Sequence, residues 1–255
     1  MKLRITILTI ISLAIILVIS GCDNKETTSP DGDNNYLELK AYNFWDYSVY
    51  DLDSEGEIIE ESAVFKSIHL LDEETLDKRS AYKIFYDTKT DNSLFTHIST
   101  DEDGIYLYMD EINLNNYVTD PSTTSNIPIL IPGWIKIMDF NNNEWESFFF
   151  ELTDQVIEQD TVSGKVQITG KKQSTKEITY IGKTYTADVV KLTIDLSAKS
   201  LSPSGNMERA AKSDIIYTFI EGIGIYSIEQ NANEILGILE GRIEILTQHG
   251  YLGRP

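Results

Sequence analysis

The side chains that could do chemistry are few. The chain has one cysteine, Cys22, and three histidines, His69, His97 and His249. Cys22 follows Ser20 and Gly21 at the end of an apolar run. Small residues there suit cleavage behind Gly21, which would leave Cys22 as a new N-terminus. The histidines are far apart, and none belongs to a His-x-x-x-His or Cys-His cluster. Surface or internally satisfied side chains describe them better than metal ligands. There is no Gly-x-Ser-x-Gly elbow and no His-Glu-x-x-His. Gly222-Ile223-Gly224 lacks the third glycine of a dinucleotide fingerprint and reads as a bulge or tight hairpin.

Oxygen ligands are plentiful but poorly ordered. Asp139-Phe140-Asn141-Asn142-Asn143 alternates like the opening of a calcium loop. Glu144 and Phe150 stand where that loop needs glycine and a bidentate glutamate. Asn-rich hairpin turns look the same for backbone reasons. Asp101-Glu102-Asp103 carries no stronger signal. Carboxylates are so abundant that pairs suited to acid–base work must occur by chance. The expectation is no catalytic set, no metal and no cofactor.

The leader is more specific. Met1-Lys2-Leu3-Arg4 is a positive start, and residues 5–19 are apolar apart from Thr6, Thr9 and Ser12. This is a secretory signal, too short for a spanning helix of about 20 apolar residues. Its ending, Ile19-Ser20-Gly21-Cys22, resembles the lipobox of bacterial lipoproteins. That resemblance implies a diacylglycerol on the Cys22 sulfur, cleavage between Gly21 and Cys22, and a further acyl chain on the new amino group. Two or more chains give stable anchoring. The implied partner is a membrane, reached through the N-terminal lipid. In enteric lipoproteins, an aspartate in the position of Asp23 favours inner-membrane retention. Other phyla sort differently, so the choice of membrane stays open. A lone cysteine also excludes an intrachain disulfide, so stability must come from the core.

Removing residues 1–21 takes two of the 21 basic residues and leaves 41 acidic against 19 basic, a net charge of −22. That argues against nucleic acid, which needs clustered Lys and Arg, and against electrostatic docking on anionic lipid. The apolar fraction of 41% and aromatic fraction of 10% are those of a folding chain.

Residues 22–35, acidic and rich in Asn, Thr and Ser, read as a flexible tether. From residue 36 onward, period-2 alternation dominates. Trp45, Tyr47 and Val49 alternate with Asp46, Ser48 and Tyr50. Strands are expected at 45–50, 57–71, 82–87, 94–100, 105–109, 134–140, 144–151, 166–170, 177–181, 184–196, 215–220, 225–229 and 235–247. Turn signals separate them. Short helices are expected at 72–80 and 206–213. The most apolar later stretch, 127–131, is interrupted by Pro128. The fold class is therefore mostly all-β: an antiparallel curved sheet, sandwich or half-barrel, with one or two short helices, in a single domain over 36–255.

Three features recur in order. Phe44-Trp45 is matched by Gly133-Trp134, the run from Asp77 to Tyr82 by that from Gly182 to Ala187, and Gly104-Ile105-Tyr106 by Gly224-Ile225-Tyr226. One reading is duplicated halves, 36–116 and 127–255. The other, slightly favoured, is the reuse of turn-strand patterns common to antiparallel proteins.

The segment from Tyr36 to Tyr47, with the later Gly-Ile-Gly-Ile, resembles uncharacterised envelope lipoproteins of environmental bacteria. Ala41-Tyr42 stands where that pattern usually carries a glycine. More loosely, the alternation is similar to curved-sheet carriers of the lipoprotein-localisation type, a fold analogy that carries no residue across. Phe44, Trp45, Tyr47, Trp134, Trp145, Phe148, Phe149 and Phe150 gather in two hairpins, as a packed core or as the wall of an apolar cavity. The leading expectation is an exported, lipid-anchored, non-enzymatic binding or interaction module for an apolar small molecule or an envelope protein. The alternatives are an exported surface hydrolase using paired carboxylates, or a structural envelope protein. Oligomeric state is not legible.

Overall fold

The computed structural model describes residues 36–87, 95–109, 132–157, 160–202, 205–233 and 240–252. The leader, Gly21, Cys22, the tether and residues 127–131 lie outside them. The described residues all belong to one compact unit, Asn34–Pro255.

Alternation builds strands throughout. β1 (Asn43–Leu52) buries Trp45, Tyr47 and Val49 and leaves Asp46, Ser48 and Tyr50 half-buried. There follow β2 (Ile58–Leu76), β3 (Arg79–Asp87), β4 (Phe95–Thr100), β5 (Gly104–Met109), β6 (Gly133–Asp139), β7 (Glu144–Ile157) and β8 (Asp160–Lys172). β9 (Lys176–Tyr180), β10 (Lys183–Ser202), β11 (Gly205–Ile220), β12 (Gly224–Gln230) and β13 (Gly241–Tyr251) complete the set. The sheet runs β6-β5-β4-β3-β2-β1-β13-β12-β11-β10-β8-β7, with β9 continuing the line of β8 along β10. Every ladder is antiparallel. Except at β6–β7 and β8–β9, each strand pairs with the next in sequence, and β13 returns to pair with β1. The result is a nearly closed barrel of twelve strands. Its seam lies between β6 and β7, which no ladder joins among the described residues.

Directly opposed residues of an antiparallel pair share a face, so register identifies the inner wall. Around Tyr47 and Val49 it includes Leu70, Ile84, Ile98, Leu107, Ile135, Val166, Ile168, Val190, Leu192, Tyr217 and Leu246, all in one apolar core. β5 is buried on both faces. Ile105, Leu107 and Met109 belong to the core, while Tyr106 and Tyr108 lie beneath Arg79, His97 and Trp134 outside it. Residues 36–39 cover one end. Leu37 is buried against Gly224, Tyr36 stacks on Phe140, and the Tyr36 hydroxyl bonds the Asp188 carboxylate.

Both expected helices are strands. Residues 72–80 form the end of β2, a turn at Asp77-Lys78 and the start of β3, and 206–213 lie in β11. In 72–75 all four side chains are exposed, so no buried face prints an alternation there. Asp77 and Lys78 have φ of 48° and 68°, the primed two-residue turn that suits a hairpin. Of the recurring features, Trp45 stands in β1 and Trp134 in β6, Tyr82 in β3 and Tyr185 in β10, and Gly104 opens β5 as Gly224 opens β12. One strand separates the first two features in the first set, and three separate them in the second.

Candidate functional site

The most unusual chemistry lies on the inner wall where the first and last strands meet. Lys66 stands opposite Tyr47, and Glu244 opposite Val49. The two therefore face inward from β2 and β13, and they meet over β1. Lys66 Nζ donates to Glu244 Oε2 at 2.7 Å, with side chains 13% and 10% exposed. Arg242 Nη2 approaches Glu244 Oε1 at 3.3 Å from the same face. Three tyrosines surround the pair. Lys66 Nζ lies 5.4 Å from the centre of the Tyr86 ring, and Tyr47 Oη donates to the Ile225 carbonyl at 2.9 Å. Burial first, and then the charge of Glu244, hold the Tyr47 and Tyr217 hydroxyls well above the usual phenol range. A buried pair with both carboxylate oxygens engaged keeps its charges internally compensated. It sets a charged pair in the apolar inner wall.

A second inward group lies at the level of Trp45, the next inward position along β1 from Tyr47. Tyr180 Oη and His249 Nδ1 share a hydrogen bond of 2.8 Å, beside Tyr226 and Trp45. Burial chiefly, with Tyr185 and Asp46 adding, pushes the Tyr180 hydroxyl up to about 12. Burial also lowers the His249 imidazole below its usual value. The Trp45 indole donates to the Ile223 carbonyl at 3.0 Å.

On the outer wall, Ser67, His69 and Asp46 form a chain. Ser67 Oγ donates to Asp46 Oδ1 at 2.5 Å and meets His69 Nε2 at 2.9 Å. A nucleophilic triad needs the imidazole to take the serine proton and the carboxylate to hold the far ring nitrogen. Here the serine proton goes to the carboxylate, so the ring donates to the serine. Ser67 is also buried. The arrangement is a half-buried structural network rather than an activated nucleophile.

The residues singled out in sequence disperse. His69 is in that network; His97 bonds Glu74 and Thr96; His249 bonds Tyr180. Asp139 Oδ1 accepts the amides of Asn141 and Asn142, and Oδ2 accepts Lys136 Nζ at 2.8 Å, so the Asn-rich turn uses its own oxygens. Those donors outweigh burial and hold the Asp139 carboxyl below the usual range. Asp101 likewise caps Asp103 and Gly104 and pairs with Arg79. Among the described residues, no three His, Cys, Asp or Glu side chains converge on a metal position. Gly222 and Gly224 both have positive φ and flank the tight β11–β12 turn.

The two aromatic hairpins divide between wall and surface. Trp45, Tyr47, Phe148 and Phe150 pack in the core. Phe44 packs at His69 and over Gly250 on the outside. Phe149 is exposed, with Lys165 Nζ 5.5 Å from its ring centre. Trp134 lies outside against Tyr108. The inward Lys66 and Glu244 escape a sequence reading because Ile243 and Ile245 flank Glu244, and alternation there argues for the opposite facing. Only the register with Val49 reveals it.

No family model and no curated protein matches the chain. Two solved structures are similar in fold. One, described as a candidate lipoprotein of Parabacteroides distasonis, is 12% identical over 85% of this chain and 99% of its own, with a TM-score of 0.42. The other, described as a candidate exported protein with a YmcC-like fold from Bacteroides fragilis, is 9% identical over 86% of this chain and 100% of its own, with a TM-score of 0.36. At these identities and scores, neither carries a residue role to this chain.

Proposed function

We propose that this is a bacterial envelope lipoprotein, cleaved behind Gly21, acylated at Cys22 and tethered by residues 22–35. On this reading the barrel is a non-enzymatic binding module that holds an apolar small molecule in its lumen. One observation carries the binding reading: a nearly closed wall of twelve strands with an apolar inner face. About eight strands already give an interior that side chains fill, and each added strand widens it.

Two experiments test the two halves. Mass spectrometry of the full-length protein extracted from bacterial membranes should show an N-terminal Cys22 carrying diacylglycerol and an amide-linked acyl chain. A free Cys22 thiol on an uncut chain would end the anchor reading. Native mass spectrometry of the mature chain, with Cys22→Ser and gentle purification from a periplasm, should show an apolar adduct. A clean apo mass, with no uptake of added apolar probe, would leave a protein-binding or structural role instead.

A further inference from the structure

The seam between β6 and β7 is built unlike the other strand junctions. The two strands form a hairpin through a short turn at residues 140–143, yet no ladder joins them among the described residues. Side chains of β7 take the ladder's place. Trp145 Nε1 and Ser147 Oγ both donate to one acceptor, the Lys136 carbonyl, at 2.8 and 2.9 Å. The Phe148 ring lies against Gly133, where an added Cβ would come within 2.5 Å of it. The Trp145 indole lies on Gly170, where a Cβ would fall 2.1 Å away. Both flanking strands carry a bulge. The β7 register skips between Glu146 and Phe148, which frees Ser147 to reach across, and the β6 register skips at Ile137. Bulges that re-aim side chains beside a junction are a recurrent device of barrels.

The consequence is mechanical. β1 and β13 are joined by a ladder running the whole length of β1. β3 and β4 share only two residue pairs, but Ser99 Oγ bonds the Ser80 carbonyl across them and Arg79 pairs with Asp101 nearby. At the seam, separation costs two hydrogen bonds to one oxygen and the sliding of an aromatic ring off a glycine. Behind Phe148, Phe150 and Leu152 continue the apolar lining inward.

We propose that this seam is the lateral portal by which an apolar ligand enters and leaves the lumen, with Trp145 and Ser147 as its latch and Phe148 as its wedge. The inference rests on the binding reading above. It specifies the ligand class as neutral and apolar, because the inner lining at the seam presents Phe148, Phe150 and Leu152.

The test is stopped-flow fluorescence with the neutral apolar fluorophore phenylnaphthylamine and the mature chain, Cys22→Ser. In the double variant Trp145→Phe, Ser147→Ala, the indole N–H and the hydroxyl are gone but the ring over Gly170 stays. Release and uptake should both quicken about tenfold, as loss of two ordinary hydrogen bonds predicts, with Kd changed less than about twofold. Phe148→Ala keeps both bonds and should also quicken exchange, which covers the case of a double variant that fails to fold. Ser99→Ala, at the other sparsely paired junction, should leave the rates unchanged. Unchanged rates in the seam variants, or equal acceleration by Ser99→Ala, would overturn the portal while leaving binding intact. A wild-type chain that takes up no fluorophore would instead remove the binding reading, and the portal with it.

Discussion

At the scale of single residues, backbone strain and buried charge make the sharpest expectations. Ile181 has φ of 47° at a two-residue turn and is 69% exposed. A β-branched residue in the left-handed region costs about 1–2 kcal/mol, and here no core contact offsets it. Ile181→Asn should therefore stabilise by about 1 kcal/mol, a rise in Tm of roughly 2–4 °C for a domain of this size. A thermal melt checks it, and an unchanged or lower Tm refutes it. Tyr42 has φ of 70°. That is the left-handed region, which a non-glycine residue adopts only at some cost. Lys66→Met should cost about 3–5 kcal/mol by leaving Glu244 buried without its main partner. Adding Glu244→Leu should restore much of that; a double-variant loss equal to the sum of the two single losses would show that the pair is not coupled. His249 carries a pH signature. Its folded value lies below the usual 6.5, so its contribution is present above about pH 6.5 and fades as pH falls through the window beneath. The wild type should lose more stability between about pH 7 and 5 than His249→Asn, measured as the difference in their Tm profiles.

At the scale of elements, the seam is the place to test packing. Gly170→Ala would drive a methyl into the Trp145 indole. It should destabilise by about 1–3 kcal/mol and shift tryptophan emission to the red as the ring is displaced. A silent substitution would mean that the indole has room to move. The same element scale shows what sequence could reveal. β1 was legible because one face is buried and alternation prints it. The two misread helices fell where a strand has no buried face, as in 72–75, or where small and charged residues blur the pattern, as in 206–213. Closure was not legible, because it depends on β1 meeting β13, and pairing of distant strands leaves no local mark. The Lys66–Glu244 pair was hidden for that same reason: each residue looks like an ordinary surface charge until register brings both to one wall.

At the scale of the whole molecule, charge and closure dominate. With a net charge of −20 over the full chain, mutual repulsion opposes compactness, and added salt should relieve it. Tm should climb between about 0.01 M and 1 M sodium chloride, as the Debye length shrinks from roughly 30 to 3 Å; a flat profile would mean that the acidic residues are already compensated locally. The pairing of β1 with β13 has a further consequence, which concerns time. The Thr247 hydroxyl reaches the Asp46 carbonyl across 201 positions of sequence, and the whole β1–β13 ladder spans such separations. Contacts this distant are slow to form, because the chain must close a very long loop before they reward it. The first strand made during synthesis must wait for the last before its open edge is covered. Until then the nascent chain can build consecutive hairpins but no barrel, and its unpaired β1 edge is the one most exposed to wrong partners.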